Sequence, residues 1–148
     1  MNIRTTRREL LTAGAAFVGT SAFPIRTRSS WEKLDVGFVG VANRASSNVN
    51  GVKGENVVAI CDIDENYLAS VSKQFPKAKI YRDYREMFDK EKLDAAVVST
   101  ADHNHAPATM RALARGMHVY CEKPLTHTVE EARAVAELAA EKGVATQM

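Results

Sequence analysis

Short apolar runs alternate with helix-forming stretches from Leu34 to the last residue, and this alternation limits the possible folds more than any other feature. Leu34 to Val39 ends in Gly40, Asn56 to Cys61 ends at Asp62, and Ala78 to Tyr81, Leu93 to Ser99, His118 to Cys121 and Val144 to Gln147 repeat the pattern. Runs this short and rich in Val, Ile and Ala suit strands buried on both faces. The segments between them carry helix start and stop signals. Ala45 to Val52 forms one helix, Asp64 caps a second running to about Phe75, and Asp83 opens a third through about Lys90. Pro107 lies in the first turn of a helix that ends at Arg115-Gly116, and Thr128 with Glu131 forms a capping box for Glu130 to Lys142, closed by Gly143. Strand and helix in succession predict an α/β fold: a doubly wound parallel sheet of order 3-2-1-4-5, with ligands beyond the carboxyl ends of its strands.

Charge is divided unevenly along the chain. Five of the 20 basic residues (Arg4, Arg7, Arg8, Arg26, Arg28) precede Trp31, where Glu9 is the only acid; from Trp31 onward 15 basic residues face 17 acidic ones. Such a balance supplies no cationic surface for phosphate backbones, so nucleic acid is not an expected partner. No apolar run reaches the roughly 18 residues that stable membrane insertion needs. The early arginines read instead as an address. Arg7-Arg8 stands before the uncharged stretch Leu10 to Phe23, Thr20-Ser21-Ala22 offers a small-residue cleavage site, and Pro24 to Ser30 reads as a linker. Residues 1–30 are therefore expected to be a twin-arginine-type signal and linker, and 31–148 the folded domain of an exported, periplasmic protein.

Candidate functional residues cluster where strands end. Gly40, Ala42, Asn43, Arg44 and Ala45 occupy the turn from the first strand into the first helix, where a glycine fingerprint lets a backbone approach a pyrophosphate. Ala42 stands at the second glycine position of G-x-G-x-x-G and Ala45 at the third; a Cβ at Ala42 crowds that approach. Asp62 lies 22 residues beyond Gly40 at the end of the second strand, where a carboxylate accepts the adenosine ribose hydroxyls. No arginine adjoins it in sequence to receive a 2′-phosphate, which favours NAD over NADP. Glu122-Lys123-Pro124 follows the fifth strand and places a cation with an acid beside it at the same edge; Lys123 there is a candidate for binding a substrate hydroxyl and assisting proton transfer. His103 and His105 have the spacing of a metal pair but lack a third ligand at a recognisable interval, so no metal is expected. Cys61 and Cys121 end strands three spacings apart, roughly 14 Å at about 4.8 Å each, too far for a disulfide, so both are expected as free thiols.

Gly37 to Ala45, Asp62, the Ser99-Thr100-Ala101-Asp102-His103-Asn104-His105 turn, Gly116-Met117-His118-Val119 and above all Cys121-Glu122-Lys123-Pro124-Leu125 together resemble the glucose-fructose oxidoreductase and inositol dehydrogenase family (Gfo/Idh/MocA). The resemblance runs from about Leu34 to Met148. It implies a Rossmann-type NAD(P)-binding domain of an oxidoreductase acting on a sugar, polyol or related compound, with the family's lysine at Lys123. It also implies that Ser99 and Thr100 border the cofactor with His105 nearby, and that the Lys-Pro bond is held in cis. Ala42 departs from the family's usual glycine. The family's second, substrate-holding domain is expected to be absent after Met148, which makes these residues a fragment or one half of a split enzyme, with homo-oligomers expected only once that domain is present. The same residues leave open an NAD-dependent glycosidase and a non-catalytic dinucleotide-binding module.

Overall fold

The computed structural model describes residues 32–148; the segment read as a signal and linker lies outside them. Six parallel strands form one sheet in the order β3-β2-β1-β4-β5-β6. They are β1 (Asp35–Val39), β2 (Asn56–Cys61), β3 (Lys79–Tyr81), β4 (Ala95–Val98), β5 (His118–Cys121) and β6 (Thr146–Gln147). Five helices connect them: α1 (Ala45–Val52), α2 (Glu65–Ser72), α3 (Tyr84–Lys90), α4 (His105–Ala114) and α5 (Val129–Lys142). Doubly wound order and crossover connections are as the alternation predicts.

The local signals explain the helix boundaries. Asp64 accepts a hydrogen bond from the Asn66 amide and Asp83 from the Arg85 amide, while Thr128 and Glu131 complete a reciprocal capping box. Gly143 ends α5 in the left-handed region at φ 63°, which a residue without a Cβ adopts freely. Helix α2 stops at Ser72, three residues before Phe75, because Gln74 and Phe75 already donate to the carbonyls of Val71 and Ser72 in a tight turn. A 3₁₀ turn at Asp102–Asn104, where the sequence shows only a loop, leads into α4.

Neighbouring residues of each strand face opposite sides of the sheet, and that splits the core in two. Val39, Val98 and Cys121 pack with Met87 and Phe88 of α3, Leu113 of α4 and Val135 of α5. Phe38 and Val97 pack on the other face with Val49 of α1 and Leu68 of α2. Cys61 and Cys121 are buried, unpaired thiols, separated by β1 and β4. Burial, followed by the charges of Asp62, Asp83 and Glu86, pushes the Cys61 thiol up to about 12, so it stays protonated.

Candidate functional site

Parallel register carries the ladder one residue past the strands and assembles the site. Cys61 pairs with both Val39 and Tyr81, and Val98 pairs with Val39 and Cys121. Four further backbone bonds extend that rung: Asp62 N–H to the Tyr81 carbonyl (3.2 Å), Gly40 N–H to Cys61 (2.8 Å), Ser99 N–H to Val39 (2.7 Å) and Glu122 N–H to Val98 (2.8 Å). The next rung therefore reads Arg82, Asp62, Gly40, Ser99, Glu122 across five strands. Its side chains fall on the α1 and α2 face, the side opposite Cys61, Val39 and Cys121.

Gly40 admits no other residue at the centre of that rung. Its φ is 85°, and a Cβ there would lie 2.5 Å from the Ser99 carbonyl oxygen and 2.7 Å from the Thr100 nitrogen, both backbone atoms. Asn43 also has positive φ, 49°. The turn thus delivers the start of α1 with its first bond running from Ala45 N–H to the Ala42 carbonyl (2.9 Å) and no side chain capping its N-terminus. The preceding amides of Ala42, Asn43 and Arg44 stand at the open, positive end of the helix dipole, which favours an anionic group. Asp62 braces this loop: one carboxylate oxygen accepts the Val41 amide (2.9 Å) and the other the Asp64 amide (3.1 Å). A carboxylate offers about four acceptor sites, so two such bonds leave room for ribose hydroxyls.

Two hollows flank this point, with volumes of about 390 and 430 Å³, and both are lined by Gly40, Asp62, Ile63, Thr100 and Ala101. Ile63 is 81% exposed between them, an apolar platform beside the carboxylate. The second hollow also takes in Ala42, Asn43, Arg44 and Ser99. A dinucleotide fits this donor set: backbone amides and a helix N-terminus for the pyrophosphate, a carboxylate for the ribose, an apolar surface for the adenine.

On the other side of Gly40 the cluster is built from side chains. The Asn48 amide nitrogen donates to Ser99 Oγ (2.8 Å) and Glu122 Oε2 (2.9 Å), and Arg44 Nε donates to the same Glu122 oxygen (3.3 Å). The Asn48 hydrogen bond, helped by the Lys123 amide and Arg44 against the effect of burial, holds the Glu122 carboxyl below its usual value. Asn48 was not marked by its sequence; one turn beyond Arg44 on α1, it shares that residue's face. Lys123 follows with an exposed side chain and a cis bond to Pro124.

Two candidates lie beneath the surface instead of on it. Ala45, fully buried, is a packing residue at the start of α1. His105 is 1% exposed, with Nδ1 2.5 Å from the Pro124 carbonyl oxygen and Nε2 3.0 Å from that of Thr100. Both ring nitrogens are committed to the protein, so His105 ties the turn after β4 to the turn after β5 and does not face the hollows. A neutral ring has one N–H and donates to one of these carbonyls; the imidazolium donates to both. Among the described residues no group of three or more His, Cys, Asp or Glu could hold a metal ion, and no helix is long and apolar enough to cross a membrane.

A doubly wound sheet with an open helix N-terminus and an acid on the neighbouring strand defines a dinucleotide-binding domain. The chain belongs to the Gfo/Idh/MocA family: the model described as "Oxidoreductase family, NAD-binding Rossmann fold" matches residues 34–148. Its cofactor is NAD. The chain is 30% identical over 115 residues to the inositol 2-dehydrogenase of Salmonella typhimurium, covering 74% of this chain and 34% of that protein. It is 34% identical over 112 residues to the glycosyl hydrolase family 109 protein 1 of Shewanella sp. (strain MR-4), covering 68% of this chain and 24% of that protein. The crystal structure of myo-inositol 2-dehydrogenase from Lactobacillus plantarum superposes with a TM-score of 0.72 at 26% identity over 78% of this chain and 36% of that one. The chain thus spans between a quarter and about a third of the length of these relatives.

Proposed function

We propose that these residues form the cofactor half of an NAD-dependent oxidoreductase acting on a sugar, polyol or related small molecule, with the length seen in its relatives supplying the substrate side. The observation that carries this reading is the single rung that sets Asp62, Gly40, Ser99 and Glu122 side by side, with Lys123 next in the chain. Bound NAD supplies a hydride acceptor. The amides of Ala42, Asn43 and Arg44 hold the pyrophosphate, Asp62 holds the adenosine ribose, and Ser99 and Thr100 border the cofactor from the next strand. Lys123 holds a substrate hydroxyl and, in its amine form, takes the hydroxyl proton as the carbinol hydride passes to NAD, and the Glu122 network positions that lysine. The arginine pair Arg7-Arg8 before an uncharged stretch supports export to the periplasm through a twin-arginine route. Assembly into homo-oligomers is assigned to the complete protein.

Calorimetric titration tests the reading directly. The 148-residue chain is expected to bind NAD while oxidising no polyol, because orientation by the substrate side contributes about 7–11 kcal/mol to lowering the barrier. Joining it to the remaining length of a relative is expected to restore turnover, and Lys123→Ala to abolish it. Absence of NAD binding overturns the proposal. The glycosyl hydrolase relative favours a second reading, in which the complete protein hydrolyses a glycoside and regenerates its NAD. Accumulation of NADH during turnover separates the two, since the oxidoreductase produces it and the hydrolase does not.

A further inference from the structure

Arg82 occupies the outermost position of the rung, next to Asp62. The Asp62 amide bonds to the Tyr81 carbonyl (3.2 Å), which in parallel register pairs Asp62 with Arg82 across one strand spacing, about 4.8 Å, with both side chains on the α2 face. Arg82 and Asp62 line the same hollow. No arginine adjoins the ribose acid in sequence, but the fold brings one near: Arg82 is 20 residues away in the chain and on the neighbouring strand in space.

Charges around it are differently committed. Arg85 is locked to Asp83 through three hydrogen bonds of 2.7–3.1 Å, and Asp83 also caps α3 through the Arg85 amide (2.8 Å). Among the described residues Arg82 forms one ion pair, from Nη1 to Glu65 Oε1 at 2.9 Å, between side chains 68% and 72% exposed. Exposed pairs of this kind contribute little and are screened by solvent, so a phosphate dianion can displace Glu65 from the guanidinium. Glu65 in turn opens α2 directly after the Asp62-Ile63-Asp64 turn, where it adds a carboxylate in contact with Arg82.

We infer that Arg82 and Glu65 together form a second determinant of cofactor selectivity, with Arg82 attracting a ribose 2′-phosphate and Glu65 occupying it. The inference rests on the dinucleotide-binding reading above. Asp62 alone sets a strong refusal of NADP; Arg82 weakens that refusal, and Glu65 restores part of it. The unmodified chain keeps its preference for NAD, and the size of that preference depends on the pair.

Titration of the full chain with NAD and NADP, and with adenosine 5′-monophosphate and adenosine 2′,5′-bisphosphate as fragments differing by the 2′-phosphate, tests this. Glu65→Gln is expected to shift the NADP to NAD affinity ratio about tenfold toward NADP, and Arg82→Ala about tenfold the other way, with the same direction in the fragment pair. Arg82→Lys should keep part of the ratio, because it keeps the charge but not the bidentate fork. Both shifts should shrink at high salt. Thermal melting of each variant confirms that it is folded. An Arg82→Ala variant that changes NAD and NADP affinity by the same factor, or neither, overturns the inference while leaving the dinucleotide-binding reading standing. No binding of any of the four nucleotides to the unmodified chain overturns both.

Discussion

The two halves of the rung on either side of Gly40 are made of different material. Toward β2 the site is backbone: a left-handed glycine, an uncapped helix start, and a carboxylate whose two bonds go to main-chain amides. Toward β5 it is side chain: Asn48 bridges Ser99 and Glu122, Arg44 reaches the same Glu122 oxygen, and His105 spans two carbonyls behind them. Backbone geometry is stiff, so substitutions on the first side act through steric exclusion. A side-chain network loses one partner at a time and titrates with pH, so the second side responds by degrees.

The largest expected effect breaks the stiff half. Gly40→Val places a Cβ within 2.5 Å of the Ser99 carbonyl oxygen at a φ of 85°. Denaturant unfolding should show a loss of about 2–4 kcal/mol, together with loss of NAD binding. A stability within experimental error of the original would show that the Ser99 turn yields, and the contrast between the halves would fail.

A smaller effect grades the other half. Asn48→Ala deprives Ser99 and Glu122 of a shared donor and should lower stability by less than the Gly40 substitution does. Its pH dependence has a definite sign. The Glu122 carboxyl lies below its ordinary value of 4.5 in the folded chain, chiefly through Asn48. That contribution is complete above 4.5 and disappears as pH falls through the folded value, because only the unprotonated carboxylate is favoured. Asp83 and Glu91 are held low as well, by Arg85 and by Lys79, so the difference between variant and original isolates Glu122. That difference in stability should narrow on acidification from pH 7 to well below 4.5. A difference that stays constant with pH would assign Asn48 a role in packing alone.

The smallest effect sharpens the comparison at the loop itself. Ala42→Gly removes a partly exposed Cβ beside amides at the open start of α1, and should tighten NAD binding about threefold, or about 0.6 kcal/mol. Weaker binding would mean that the entropy of a freer loop outweighs the closer approach, and that even the backbone half depends on a side chain.

How much of this was legible in the chain depends on the range of the interaction. Asp64, Asp83, Thr128 and Gly143 act within a few residues of themselves, and their caps were readable because the partners are sequence neighbours. Gly40, Asp62, Ser99, Glu122 and Lys123 were readable as strand-end residues, since alternation alone locates the carboxyl edge of a parallel sheet. Sequence pattern could not show that Ala45 and His105 turn inward, because burial at the end of a strand or the start of a helix depends on what packs over it.

By itself, then, the sequence determined the elements, the parallel sheet and the edge at which chemistry collects, because periodicity, caps and turn residues are local properties. Tertiary structure decided who stands next to whom along that edge. Asn48 meets Glu122 across 74 residues, and Arg82 meets Glu65 across 17, only because the register of β3, β2, β1, β4 and β5 places them so. Strand register is set by the burial of Phe38, Val39, Val97 and Val98 on opposite faces, and a shift of one residue would exchange those faces and disperse the whole rung.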